Sequence, residues 1–210
     1  MTVAAVVFDI GGVLERVDDA AWPELFVRRW ESRAGLAAGS FLERLAEHEP
    51  SGSMVTGEVT EAQMRAGYQR ALGIDDAATE QMMADLWDAY CGELDDAMFE
   101  FVASLRPTYR TAILSNSADG ARREEQRRYG FEQLVDTIVY SHEVGLAKPD
   151  ELVYRLTEER LGVAGHQIVF VDDVVDNIDA ARRLGWHGVW HRGETEATIR
   201  AVQTLLHAHR

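Results

Sequence analysis

Apolar residues follow two different rhythms along this chain. Near its start, Val3-Ala4-Ala5-Val6-Val7-Phe8 is an unbroken run of small and β-branched residues. The run stops at Asp9-Ile10-Gly11-Gly12, which reads as a strand buried on both faces that ends in a turn. Similar short runs recur at 111–114, 137–140, 168–171 and 188–190. Helical patterns separate them at 119–129, 150–161, 176–184 and 194–207. Strands spaced by helices of this length predict βαβ units, an α/β fold with a Rossmann-like three-layer core on a parallel sheet.

Between 16 and 92 the alternation gives way to helices only. Trp22, Leu25, Phe26 and Trp30 recur at helical spacing, as do Met64, Tyr68 and Leu72, and Met83, Trp87 and Tyr90. Ser40-x-x-Glu43 and Thr60-x-x-Gln63 read as capping boxes, and Glu49-Pro50-Ser51-Gly52-Ser53 as a loop. The division expected is a core of residues 1–15 and 93–210 with an all-helical insertion at 16–92. An insertion at that point overhangs the sheet edge that carries Asp9. Its aromatic stripe reads as the core of a small bundle rather than a cofactor pocket. Aromatics left exposed on it would offer a homodimer interface.

Composition narrows the function. At 210 residues and 46% hydrophobic content the chain can bury a sizeable core. A formal net charge of −15 argues against nucleic acid and anionic membrane surfaces as partners. No stretch is long enough to span a membrane, and the apolar start lacks the flanks of an export signal, so a cytoplasmic location is expected. Cys91 is the single cysteine, which excludes an internal disulfide. Of 21 basic residues only Lys148 is a lysine.

Chemistry gathers at four strand ends. Asp9 follows the first strand and could serve as nucleophile, metal ligand or both. Ser115-Asn116-Ser117 follows the strand at 111–114 and precedes a helix, where a hydroxyl, an amide and helix N–H groups could cradle a phosphate. Lys148-Pro149-Asp150 is the third station, with Asp150 capping the next helix. Asp172-Asp173, with Asn177 close behind, follows the strand at 168–171. Ligands of open α/β sheets bind at that edge. Three carboxylates, a hydroxyl and the lone lysine there suit Mg²⁺ and a phosphate, a hard cation with hard oxygen donors.

In this order the four stations resemble the haloacid dehalogenase-like (HAD) hydrolase superfamily, over nearly the whole chain. The insertion resembles that superfamily's C1-type cap. Gly57-Glu58-Val59-Thr60, Ser141-His142-Glu143-Val144-Gly145 and Asn177-x-x-Ala180-Ala181-x-x-Leu184-Gly185 resemble the branch of sugar-phosphate phosphatases and the phosphatase domain of soluble epoxide hydrolase. The resemblance implies a phosphatase of small phosphorylated metabolites. Asp9 would attack phosphorus and form an aspartyl-phosphate. Mg²⁺ would be held by Asp9, the Gly11 carbonyl and Asp173, with Asp172 beside them and Asn177 behind. Ser115 and Asn116 would bind the phosphoryl oxygens, Gly11 and Gly12 would line the substrate, and Lys148 would neutralise charge on Asp9 and the transferring group.

One position departs from the pattern. Phosphatases of this superfamily usually carry a second Asp two residues after the nucleophile, and here Gly11 stands there. General acid-base help is worth ~10²–10⁴-fold, so three explanations stay open. Another group, such as Glu15, His48, Glu49 or His142, supplies the proton. Alternatively, the leaving group is good enough to need none. In the third, the chemistry is that of a 2-haloacid dehalogenase. A rival from another class is an impaired binding or regulatory relative that keeps the site without useful turnover. The Asp172-Asp173 pair favours Mg²⁺ and phosphate over dehalogenation. A phosphonoacetaldehyde hydrolase is excluded, because it needs a lysine in the insertion and none is present.

Overall fold

Every residue of β1 (Ala5–Phe8) is inaccessible to solvent, and this strand organises the molecule. The structure, a computed structural model, describes residues 2–17, 22–48 and 50–208. The other described elements are β2 (Glu15–Arg16), α1 (Trp22–Arg33), α2 (Ser40–His48), α3 (Glu61–Leu72), α4 (Asp76–Tyr90), β3 (Glu93–Leu94), α5 (Asp96–Leu105), β4 (Arg110–Ser115), α6 (Ala121–Tyr129), α7 (Phe131–Leu134), β5 (Thr137–Tyr140), α8 (Ser141–Val144), α9 (Glu151–Leu161), β6 (Ile168–Asp172), α10 (Val175–Arg183), β7 (His187–Trp190) and α11 (Thr195–Ala208). The five main strands form one parallel sheet in the order β5-β4-β1-β6-β7.

Strand periodicity sorts the core into two layers. Val6 and Phe8 pack on one side with Met98, Phe101 and Val102 of α5 and Val202 of α11. Phe8 and Phe101 meet edge to face at 6.4 Å. Ala5 and Val7 point the other way, toward Val153 and Tyr154 of α9 and Ile178 and Ala181 of α10. The result is the expected α/β three-layer arrangement. Helix α5 is not among the helices expected from the sequence, although Met98, Phe101, Val102 and Leu105 stand at i, i+3, i+4 and i+7 and are all buried.

Helices α1 to α4 have an apolar cluster of their own, built from Phe26, Trp30, Phe41, Met64, Leu72 and Met82 among others. The chain enters and leaves this group side by side, because β2 and β3 pair antiparallel with Glu15 opposite Leu94 and Arg16 opposite Glu93. Helix α3 starts with the expected capping box of Thr60 and Gln63 and stops at Gly73. The box expected at Ser40 is not what caps α2. The Ser40 hydroxyl donates to the Ala37 carbonyl, and the Phe41 N–H donates 3.0 Å to the buried Glu31 carboxylate of α1. A tertiary carboxylate has taken the place of a local cap. Of the aromatics on these helices, Phe26, Trp30, Phe41 and Trp87 are buried, while Tyr68 and Tyr90 are half-buried. No described helix is long and apolar enough to cross a membrane.

A polar junction fastens α3 and α4 to α6. The Glu61 carboxylate receives two hydrogen bonds from Arg123 at 2.9 and 2.8 Å and one from the Trp87 indole at 2.7 Å. The Glu61 backbone N–H donates to Asp119 at 2.9 Å, and Arg128 reaches Asp88 at 2.6 Å. Helix α6 follows the Ser115 station, so this junction fixes the helical group beside the edge where the strand ends converge.

Candidate active site

Three parallel strands deliver the site. The β1 strand ends one residue before Asp9, whose N–H is tied to the Val171 carbonyl of β6 at 2.9 Å. The β6 strand ends at Asp172, and β4 ends at Ser115. Parallel pairing in register places all three ends on one edge. Asp9, Asp172 and Asp173 each present an oxygen, all within 4.8 Å of one another. Three negative groups so close repel strongly unless a cation stands among them.

Lys148 is one such cation. Its ammonium lies 2.8 Å from Asp9 Oδ1 and 2.7 Å from Asp172 Oδ2, with the side chain 1% exposed. Burial works to lower its pKa, but Asp9 and Asp172 outweigh that and hold it raised, hence charged. On Asp9 the balance differs. Burial pushes its carboxyl up, to about 7, against the pull of Lys148 and with a further push from Asp172.

Asp172 is an anchor for its neighbours. Its Oδ1 accepts the Val174 N–H at 2.8 Å and the Asn177 amide at 3.0 Å, while its Oδ2 takes Lys148. Asn177 thus holds Asp172 through its side-chain amide. Asp173 is more open than Asp172 and lies against Gly12. A Cβ at position 12 would come within 2.4 Å of Asp173 Oδ2, and φ there is +70°, so only glycine lets this carboxylate approach.

Asn116 bonds across to the Lys148 backbone. Its Nδ2 donates to the Lys148 carbonyl and its Oδ1 accepts the Lys148 N–H, both at 2.8 Å. The carboxamide thus clamps the backbone of the lysine. Ser115 is buried at the strand end, and its hydroxyl makes no hydrogen bond among the described residues. Ser117 bonds instead with Ser141 and His142.

The donor set fits Mg²⁺: carboxylate oxygens gathered at one point, with open space at Gly11 and the Asp173 carboxylate packed close against Gly12. A family model for haloacid dehalogenase-like hydrolases matches residues 3–185.

The chain belongs to the haloacid dehalogenase-like hydrolase family.

Relatives of this hydrolase carry several activities in their names. It is 26% identical to phosphatase MT3486 of Mycobacterium tuberculosis, over 98% of this chain and 96% of that protein. It is 24% identical to mouse acyl-CoA dehydrogenase family member 10, over 96% of this chain but 19% of that much longer protein. Among solved structures, the HAD family enzyme bt-2542 of Bacteroides thetaiotaomicron, in complex with magnesium and inorganic phosphate, matches with a TM-score of 0.72. The match covers 91% of this chain and 96% of that one at 21% identity. A 2-haloacid dehalogenase from Pseudomonas syringae matches with a TM-score of 0.67 at 17% identity, over 96% and 100% of the two chains. Likeness at these identities is likeness of fold.

In this hydrolase the described residues considered as replacements for an acid at Gly11 have different surroundings. Glu15 is buried in β2. His142 is bound through Nδ1 to the Ser117 hydroxyl at 2.8 Å, and burial lowers its pKa, which keeps it neutral. His48 ends α2, and Glu49 lies outside the described residues. Sequence reasoning missed Glu125. Burial pushes its carboxyl up to about 8, against the Tyr140 hydroxyl that donates to it at 2.5 Å and with a push from Glu15 and Asp9. Nothing in the arginine-rich stretch around it marks this residue as fully enclosed.

The raised Asp9 carboxyl sets a pH dependence. A cation binding there needs the carboxylate, so the proton held below about pH 7 must leave first. Mg²⁺ affinity should therefore climb between pH 6 and 7, by up to about tenfold per pH unit, and level off near pH 8. Titration calorimetry in buffers of different ionisation enthalpy reads both the affinity and the protons released. Constant affinity from pH 6 to 8 would show that Asp9 is already ionised throughout.

Proposed function

We propose that the protein is a Mg²⁺-dependent phosphatase that hydrolyses a small phosphorylated metabolite through an aspartyl-phosphate on Asp9. One observation carries the reading: Asp9, Asp172 and Asp173 converge within 4.8 Å of one another, and a buried lysine pairs with the first two. In the chemistry proposed, Asp9 attacks phosphorus. Its Oδ1 is held by Lys148 and by the Ile10 N–H at 2.8 Å, which leaves Oδ2 the less encumbered oxygen. As the Oδ2–phosphorus bond forms, the bond to the leaving oxygen breaks and takes its electron pair with it. Water then attacks phosphorus, releases inorganic phosphate and restores the carboxylate. Lys148 stays charged throughout and meets the negative charge on Asp9 and the moving group. Asn116 holds the backbone of that lysine, Ser115 offers its hydroxyl to a phosphoryl oxygen, and Asn177 fixes Asp172. Mg²⁺ bound by Asp9, the Gly11 carbonyl and Asp173, next to Asp172, would offset the charge of acids and phosphate together.

The proposal includes the division of the chain. Residues 16–92 act as a C1-type cap on a core of 1–15 and 93–210, and exclude water during transfer. With Gly11 in place of an acid, the leaving oxygen departs unprotonated. Good leaving groups, acyl and aryl phosphates, are then the favoured substrates.

The test is phosphate release from acetyl phosphate, p-nitrophenyl phosphate and simple alkyl phosphates, with Mg²⁺ and with EDTA. We expect release that needs Mg²⁺ and rises steeply as the leaving-group pKa falls. Equal rates on alkyl and aryl phosphates would sink the idea of an unassisted leaving group. Gly11 also favours a second reading, 2-haloacid dehalogenation, because halide leaves without a proton. Halide release from 2-chloropropionate that persists in EDTA would replace the first reading by the second.

A further inference from the structure

A pocket of about 460 Å³ opens beside the reaction centre, lined in part by Gly12, Arg16, Asp173, Trp190 and Arg192. It shares Gly12 and Asp173 with the proposed metal and substrate loop, so whatever occupies it is contiguous with a phosphoryl group at Asp9. Its size is that of a small-molecule site. Its chemistry is unusual for a chain of net charge −15. Two guanidinium groups reach it.

Arg192 makes no ion pair among the described residues. Its guanidinium lies over the Trp190 ring, 5.2 Å from the centroid. Trp190 is 46% exposed, yet its indole is anchored, since Nε1 donates to the Asp173 carbonyl at 2.8 Å. A stacked guanidinium has lost much of its freedom while its N–H donors remain available. Arg16 is set by Asp95, with Nε 3.3 Å from Oδ2, and its side chain remains 69% exposed. Asp95 itself is satisfied by Thr195 at 2.6 Å and by the Met98 N–H at 3.0 Å. Asp95, the partner of Arg16, is thus already matched, and Asp173 on the rim is a proposed metal ligand whose charge a bound cation offsets.

We propose that this pocket binds a second acid group, a carboxylate or a second phosphate, carried by the leaving portion of the substrate. The substrate class is then a phosphate ester or acyl phosphate with a second anionic group. This rests on the phosphatase reading for the first phosphoryl group. Arg192 is the specificity residue, preorganised by Trp190, and Arg16 closes the other side.

The test compares p-nitrophenyl phosphate with 3-carboxy-4-nitrophenyl phosphate, two aryl esters that differ by one carboxylate. The carboxylated ester should be favoured in kcat/KM by about tenfold, mostly through KM, the worth of one charge-assisted hydrogen bond. In Arg192→Gln the ratio of the two substrates should fall to near one, with Arg192→Lys restoring part of it. A wild-type ratio of one or less overturns the proposal, as does a ratio that survives in both Arg192→Gln and Arg16→Gln. Should neither ester turn over, the phosphatase reading fails and binding decides the pocket alone. Equilibrium dialysis of 5-hydroxy-2-nitrobenzoate against 4-nitrophenol, with Mg²⁺ present, should then show tighter binding of the benzoate to the wild type than to Arg192→Gln. Equal binding of the benzoate to both overturns it.

Discussion

Asp9→Asn should abolish phosphate release, a loss of about 10⁴-fold or more, in a protein that remains folded. The asparagine is nearly isosteric and keeps an acceptor for the Ile10 N–H and for Lys148, which also retains Asp172. What disappears is the nucleophile. Stability gives an independent readout. A buried acid whose folded pKa is raised, here to about 7, contributes stability that is complete below its unfolded value near 3.8 and is lost as pH rises through the folded one. Above pH 7 the wild type bears the cost of a charged, buried Asp9, and the amide does not. In EDTA at pH 8 the thermal midpoint of Asp9→Asn should equal or exceed that of the wild type, with the advantage shrinking toward pH 5. Residual turnover above about 1% would remove Asp9 from the nucleophile's role. A midpoint many degrees lower would mean that the activity was lost through unfolding.

The opposite experiment adds a group. Gly11→Asp should raise turnover of alkyl phosphates by about 10²–10⁴-fold and leave acetyl phosphate far less affected. There is room for it, because a Cβ on Gly11 meets nothing within 4 Å and the backbone there is not left-handed. The neighbouring Gly12 offers no such freedom, since the Asp173 carboxylate fills the position. Three nearby acids would disfavour ionisation of the new carboxyl and keep it a proton donor near neutral pH. The comparison to make is the slope of rate against leaving-group pKa in wild type and variant. An unchanged slope in a folded variant would mean that another resident acid already protonates the leaving oxygen.

The strands were legible in the sequence because a parallel sheet covered on both faces needs continuous apolar runs, and β1 and β6 are such runs ending in acids. Reading the four strand ends together also located the acids and the lysine that the structure gathers. Helix α5 went unread although its apolar spacing is plain, because only the two-residue strand β3 parts it from the helices of the insertion, too short to show as an apolar run. Contacts distant in sequence were not legible. Glu31 capping α2, Asn116 clamping Lys148 and Glu125 enclosed beside Tyr140 join residues 10, 32 and 15 positions apart. Each is a polar pairing, set by tertiary packing and invisible to hydrophobic periodicity. The aromatic stripe was read correctly as packing, since Phe26, Trp30 and Phe41 fill the helical cluster.

The chain's one lysine is locked between two carboxylates at the base of the crevice. The surface is therefore free of side-chain amines, though rich in guanidinium. Reagents and enzymes that target lysine, such as acyl donors, cross-linkers and protein conjugation systems, find no accessible lysine on the described face of this molecule. Any that did reach Lys148 would strip the charge from between Asp9 and Asp172 and silence the catalyst at the same stroke.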